Sequence, residues 1–266
     1  MIYSRLTNPL TIRVSVLHSQ LPDGRNKLHW PNTLSIMRAC DKLSLSRLPR
    51  SVIDALECLF PTSGRPSSYK PVIAGVSGSD EKVAFCQAFP FDSIRYFHRF
   101  DLLNMLPMAY YHASQLGLKY IFDGHRRTGG TDQDIQRIIM GRDELIKSRK
   151  AHFQWLSHKV LYVATGFERC KGPRNEGDID CGELLLELDD RFRRIRFIDD
   201  RCDPLEGMTS DGRSVLESTL CKPCWREARS CMDTNLEKVW RKLPEYFGLG
   251  TWTDLQQRQL MADVDV

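Results

Sequence analysis

With 266 residues, 41% of them hydrophobic and 27% charged, the chain has an ordinary globular composition and enough length for a sizeable core, so disorder is not its default state. Its 38 Lys plus Arg against 34 Asp plus Glu leave a net charge of +4, too mild an excess to argue for nucleic acid or an anionic membrane as partner. No apolar run approaches the roughly 18 to 20 residues of a membrane-spanning helix, which excludes an integral membrane protein of that type.

The opening MIYSRLTNPLTIRVSV lacks a signal core followed by a small-residue cleavage site, and no Asn-x-Ser/Thr acceptor occurs, so the expected location is intracellular, in nucleus or cytoplasm. The nine cysteines fit: Cys40, Cys58 and Cys86 stand alone, and six crowd between Cys170 and Cys231. In a reducing compartment such a cluster reads as metal ligands or small buried hydrophobes rather than disulfides.

In chain order, TIRVSVL (11–17) alternates as a strand would. From Pro31 the pattern turns helical. Asn32 or Thr33 can cap a run carrying Leu34, Met37, Cys40 and Leu45, and Pro49 starts a second run, SVIDALECLF, closed by Pro61. PTSGRPSSYKP and, after VIAGV, VSGSDEK are turn-rich connectors. FPFDSIRYFHRF then places Phe91, Ile94, Phe97 and His98 at helical spacing. The next run opens with Asp101 as a cap and carries Pro107, where the missing N–H bends or restarts the helix. Asp123-Gly124 leads into an exposed basic turn, His125-Arg126-Arg127. Thr131 and Asp134 have capping-box spacing ahead of a long helix with Ile135, Ile138, Ile139, Leu145, Phe153, Leu156 and Val160 in one stripe and Gly141 as its weak point. Beyond Thr165, GFERCKGPRNEGDIDC reads as loop, CGELLLELDD as a short helix, RFRRIRF as a strand or edge, and DRCDPLEGMTSDGRS as loop.

The stretch LCKPCWREARSCMDTNLEKVWRKLPEYFGLGTW (220–252) organises the C-terminal third. Cys221 and Cys224 have the spacing at which two sulfurs grip one metal ion from a tight turn. Trp225, Met232, Leu236, Val239, Trp240 and Leu243 then mark one face of a helix that Pro244 ends, with Phe247 and Trp252 folding back onto it. Tetrahedral zinc needs two further donors, with Cys170 and Cys181 first and Cys202 and Cys231 as substitutes; the competing reading is that Cys221 and Cys224 merely begin a helix. The tryptophans read as core, and Arg191, Arg193, Arg194 and Arg196 are neutralised by Asp189, Asp190, Asp199 and Asp200. GVSGS (75–79) is not a nucleophile elbow, and neither a phosphate loop nor His-Glu-x-x-His occurs. His98, His112 and His152 fall within helices, where structural histidines are the usual finding. No enzyme is expected, and no catalytic or organic-cofactor-binding residue is singled out.

The succession of pieces resembles a known family. PNTLSIMRACDKLSLSRLPRSVIDALECLFPTS resembles the closing helices of a BTB/POZ domain. The segment from FPFDSIRYFHRFDLLNMLPMAYYHASQLGLKYIFDG through IQRIIMGRDEL and LCKPC to VWRKLPEYFGLGTW is similar to the region that follows that domain in mushroom-type (basidiomycete) fungal proteins. The resemblance implies a mainly α-helical chain: a truncated BTB-like end over 1–66, a helical middle over 67–165 and a loop-rich, zinc-stabilised helical module over 166–266. It also implies cysteines at positions matching Cys170, Cys181, Cys221 and Cys224, hence structural Zn2+, and a non-catalytic protein-binding role with an unidentified protein partner or a second copy of the chain. The strand-rich BTB half, which carries most of the dimer surface and part of the cullin-docking surface, has no counterpart in 1–66. Ubiquitin-ligase adaptor activity follows only if that half is restored by upstream sequence. A nucleic-acid-binding, transcription-associated zinc module using the Arg191–Arg196 segment is the alternative of a different class.

Overall fold

Apolar residues recurring at steps of three and four dominate the chain, and the architecture they produce is helical. A computed structural model describes residues 30–62, 80–152, 181, 203–205 and 210–264, and among these residues no strand occurs. The expected strands at 11–17 and 191–197 and the leucine-rich helix after Cys181 lie outside the described residues.

The chain divides into two compact units, Met1–Leu56 and Glu57–Val266. In the first, helix α1 (Trp30–Lys42) buries Leu34, Met37 and Cys40 along one side. It ends where Ser44 takes a left-handed conformation with φ 54° and Leu45 N–H reaches back to the Cys40 carbonyl at 3.0 Å. Pro49 opens the next helix, α2 (Arg50–Leu59), as its sequence predicts: its carbonyl accepts the Val52 N–H at 2.9 Å, and the second unit begins within this helix at Glu57. Thr33 is buried within α1, so the helix begins ahead of the capping position expected there.

In the second unit, helix α3 (Asp80–Arg99) starts inside the expected connector and runs through Pro90. After a 3-10 turn (Leu103–Met105), α4 (Leu106–Ser114) carries Pro107 in its first turn, where no intrahelical N–H bond is lost. The proline thus restarts the helix. Asp101 does not cap it; it takes φ 52° in the turn after α3. Every residue of α4 is buried. That makes α4 the centre of the unit, with α3, α6 (Asp132–His152) and α8 (Lys222–Tyr246) packed around it.

Two local expectations need correction. Residues read as an Asp-Gly turn and a basic turn form helix α5 (Leu118–Thr128), with His125, Arg126 and Arg127 in its last turn. Gly124 is helical because it is buried so close to the Phe91 ring that a methyl group would overlap it. The loop expected ahead of Cys221 contains helix α7 (Ser210–Thr219). Helix α6 continues unbroken past Gly141.

At the C-terminus, α8 buries Met232, Leu236, Val239, Trp240 and Leu243, as the periodicity predicts. Trp225 is only half-buried, and Cys224 and Ala228 hold the inward positions of that end. Pro244 lies inside the last turn rather than ending the helix. Trp252 folds back onto the helix as expected, stacking on Trp240 with centroids 5.2 Å apart, whereas Phe247 turns to α4 and stacks on Tyr110 at 5.6 Å. Helix α9 (Trp252–Val264) follows and packs on the 3-10 turn, where Gln259 Oε1 accepts the Leu103 N–H at 2.9 Å.

Candidate metal centre

The start of α8 builds the site. Thr219 Oγ1 donates to the Val215 carbonyl at 2.8 Å at the end of α7, and buried Leu220 carries the chain over to the next helix. Cys221 is the N-cap of α8, extended at φ −64° and ψ 156°, and its carbonyl accepts the Trp225 N–H at 2.9 Å. Pro223 suits the first turn because a proline there removes no helical hydrogen bond. Cys224 follows three residues after the cap, so the short motif brings both thiols over the same helix end.

The third member arrives from far along the chain. Cys181 Sγ accepts the backbone N–H of Cys221 at 3.3 Å. The sulfurs of Cys181, Cys221 and Cys224 all lie within 4.8 Å of one another, and the three residues are 3%, 5% and 8% exposed. Zinc held by thiolates at about 2.3 Å in a tetrahedron sets its sulfurs about 3.8 Å apart, so small rotations of these side chains close the set around one ion. The donors are soft, buried and served by a backbone N–H, which is the environment a thiolate-bound metal needs. Three close buried cysteines able to hold a metal are therefore present. Cys40, Cys181, Cys221, Cys224 and Cys231 are thiols, not disulfides.

Of the four cysteines expected to be ligands, Cys181, Cys221 and Cys224 converge. Cys170 lies outside the described residues, as does its substitute Cys202. Cys231, the other substitute, is not in the cluster: it is half-buried, seven residues further along α8. Burial pushes its thiol up, and Glu227 adds to the rise against an opposing effect of Lys238, so it stays a neutral thiol.

Two polar nodes in the same unit had no signal in residue spacing. In one, Tyr110 Oη donates to Asp134 Oδ1, and His98 Nε2 lies 3.2 Å from that hydroxyl and 3.4 Å from the carboxylate. Burial raises the Asp134 carboxyl, but hydrogen bonds from His98, Tyr110 and Thr131 outweigh it and hold the group well below the usual range. Burial and the Asp134 carboxylate push the Tyr110 phenol up, so it stays a donor and is unsuited to attack as a phenolate. In the other, Tyr111 Oη donates to Asp203 Oδ1 and Arg149 Nη1 to the Asp203 carbonyl, tying residues 203–205 to α4 and α6. Both nodes join helices.

No protein-family model matches this chain, and neither the curated proteins nor the solved structures give a match. The BTB/POZ resemblance therefore rests on the motifs quoted for it. No described helix is long and apolar enough to cross a membrane. The Arg191–Arg196 segment lies outside the described residues.

Proposed function

We propose that this chain is a non-catalytic protein-binding protein whose C-terminal part is held by one structural zinc ion. The convergence of Cys181, Cys221 and Cys224 carries the reading: three buried sulfurs within 4.8 Å supply most of a tetrahedral set. Cys170 is the fourth donor in this proposal. Four thiolates leave no open position for a substrate, so the ion links residue 181 to the start of α8 without chemistry of its own. The motif succession that resembles the post-BTB region of fungal proteins supports binding rather than catalysis.

Metal analysis of the purified full chain tests the ion, with one zinc per chain expected; a metal-free folded protein removes it. Cobalt substitution tests the absence of chemistry. A tetrathiolate site gives a tetrahedral spectrum that added imidazole leaves unchanged, whereas a spectrum that shifts with imidazole reveals an open position and overturns the structural role.

A further inference from the structure

Helix α5 is anchored on one side and unused on the other. Ile121 is fully buried at 0% exposure, Gly124 is pressed against the Phe91 ring, and Gly129 closes the helix at φ 68°. The helix cannot roll to hide its outer face. That face exposes Leu118 at 52%, Tyr120 at 41% and Phe122 at 44%, together with Lys119, Arg126 and Arg127. Leu118, Phe122 and Arg126 follow at steps of four and Lys119 precedes Arg126 by seven, so they form one strip about 12 Å long at 1.5 Å per residue. Among the described residues none of these three cations is in an ion pair; Arg127 Nε donates only to the Asp123 carbonyl, at 3.3 Å.

We propose that this strip docks an acidic amphipathic helix of a partner protein. Apolar side chains of the partner cover Leu118 and Phe122, and its carboxylates meet Lys119 and Arg126. Charge complementarity selects the occupant: the face carries three unpaired cations and one acid, Asp123, beside apolar knobs at the spacing one helix presents to another. Nucleic acid fits less well, because Asp123 stands among the cations and repels phosphate. An anionic membrane fits less well because the apolar strip is narrow and Tyr120 falls on the opposite edge of the face.

The inference rests on the protein-binding reading, so zinc content and helicity of the full chain are measured first. The probe is a fluorescein-labelled helical peptide of about 18 residues, long enough to hold a helix, with Leu at steps of three and four and Glu flanking them. Saturable binding is expected, weakened about tenfold by Lys119→Glu with Arg126→Glu and about tenfold by Phe122→Ser, and lost when Lys replaces Glu in the peptide. Absence of binding to the folded chain overturns the proposal, as does binding that the variants leave unchanged. Binding of duplex DNA or phosphatidylserine vesicles that the same variants abolish, without peptide binding, overturns it too. A zinc-loaded chain that ignores the peptide sinks the docking strip alone, whereas a zinc-free chain that binds it sinks the metal alone.

Discussion

Gly141 and Phe247 fit together as hole and knob: the ring at the end of α8 occupies the space that a side chain on α6 would fill. Phe247 is 1% exposed and also stacks on Tyr110, so the contact joins α4, α6 and α8 at one point. Gly141→Ala gains about 1 kcal/mol of helix propensity, but displacing a ring from a filled core costs about 1–3 kcal/mol. A net loss of up to about 2 kcal/mol is expected by urea unfolding. An alanine variant at least as stable as the parent would show that the ring moves aside freely.

His112 makes folding acid-sensitive well above the carboxylate range. It is enclosed by Phe60, Phe89 and Tyr111, with ring centroids 5.7, 5.9 and 6.1 Å away. Burial opposes the imidazolium and lowers its pKa from 6.5 to about 4, against a smaller raising effect of its hydrogen bond to the Leu59 backbone. The unfolded chain therefore binds this proton more readily than the folded one. The contribution is intact above pH 6.5, declines as pH falls from 6.5 to about 4, and reaches roughly 3 kcal/mol of lost stability below that. His112→Leu should flatten unfolding free energy across this window, and an unchanged slope would place the acid sensitivity elsewhere.

Local chemistry made part of the fold legible. Thr131 and Asp134 form the expected reciprocal cap, Thr131 N–H to Asp134 Oδ2 at 3.0 Å and Asp134 N–H to Thr131 Oγ1 at 3.2 Å. The same Thr-x-x-Asp pattern starts α9, with Thr251 N–H to Asp254 Oδ2 at 2.7 Å, so the signal that located α6 was present there and could have found that helix. Helix α5 was hidden because Asp123-Gly124 has turn chemistry in isolation and is helical only once Phe91 fills the space beside the glycine. For the candidate metal centre, Cys221 and Cys224 are neighbours in sequence and legible together, whereas Cys181, named through the family resemblance, meets them across forty residues. A long-range contact of that kind leaves no periodicity to read.

The Tyr110–Asp134 pair should be worth more than the cap alone. Asp134→Ala removes the α6 cap, at about 1 kcal/mol, and leaves the buried Tyr110 hydroxyl without its carboxylate acceptor, at about 1–3 kcal/mol. A total of about 2–4 kcal/mol is expected, with Tyr110→Phe costing less because no buried donor is stranded. The carboxyl is held below its ordinary 3.8, so its contribution is present above pH 3.8 and disappears only as pH falls below that through the folded-state value. In Asp134→Asn the acid limb below pH 3.8 should be shallower than in the parent. Equal losses in Asp134→Ala and Tyr110→Phe would contradict the stranded-donor account.

Cys231 provides the sharpest test of the proposed metal centre, because it shares α8 with Cys224, and Cys221 caps that helix, yet it stands outside the cluster. Chelator competition on zinc-loaded chains should separate the two groups. Cys181→Ser, Cys221→Ser and Cys224→Ser each replace a soft thiolate with a hydroxyl, and at least about a tenfold loss of zinc affinity is expected for each. Cys231→Ser should hold zinc as the parent does. Removing the ion should also loosen the start of α8, where Cys221 N–H is bonded to the Cys181 sulfur, and leave the Trp240–Trp252 stack at the other end intact. Tryptophan fluorescence separates these ends only if the half-buried Trp225 reports the first, so Trp225→Phe is the matched control: metal-dependent emission should vanish in it. Zinc loss in Cys231→Ser equal to that in Cys224→Ser would mean that the ligand set differs from the three sulfurs gathered at the helix start.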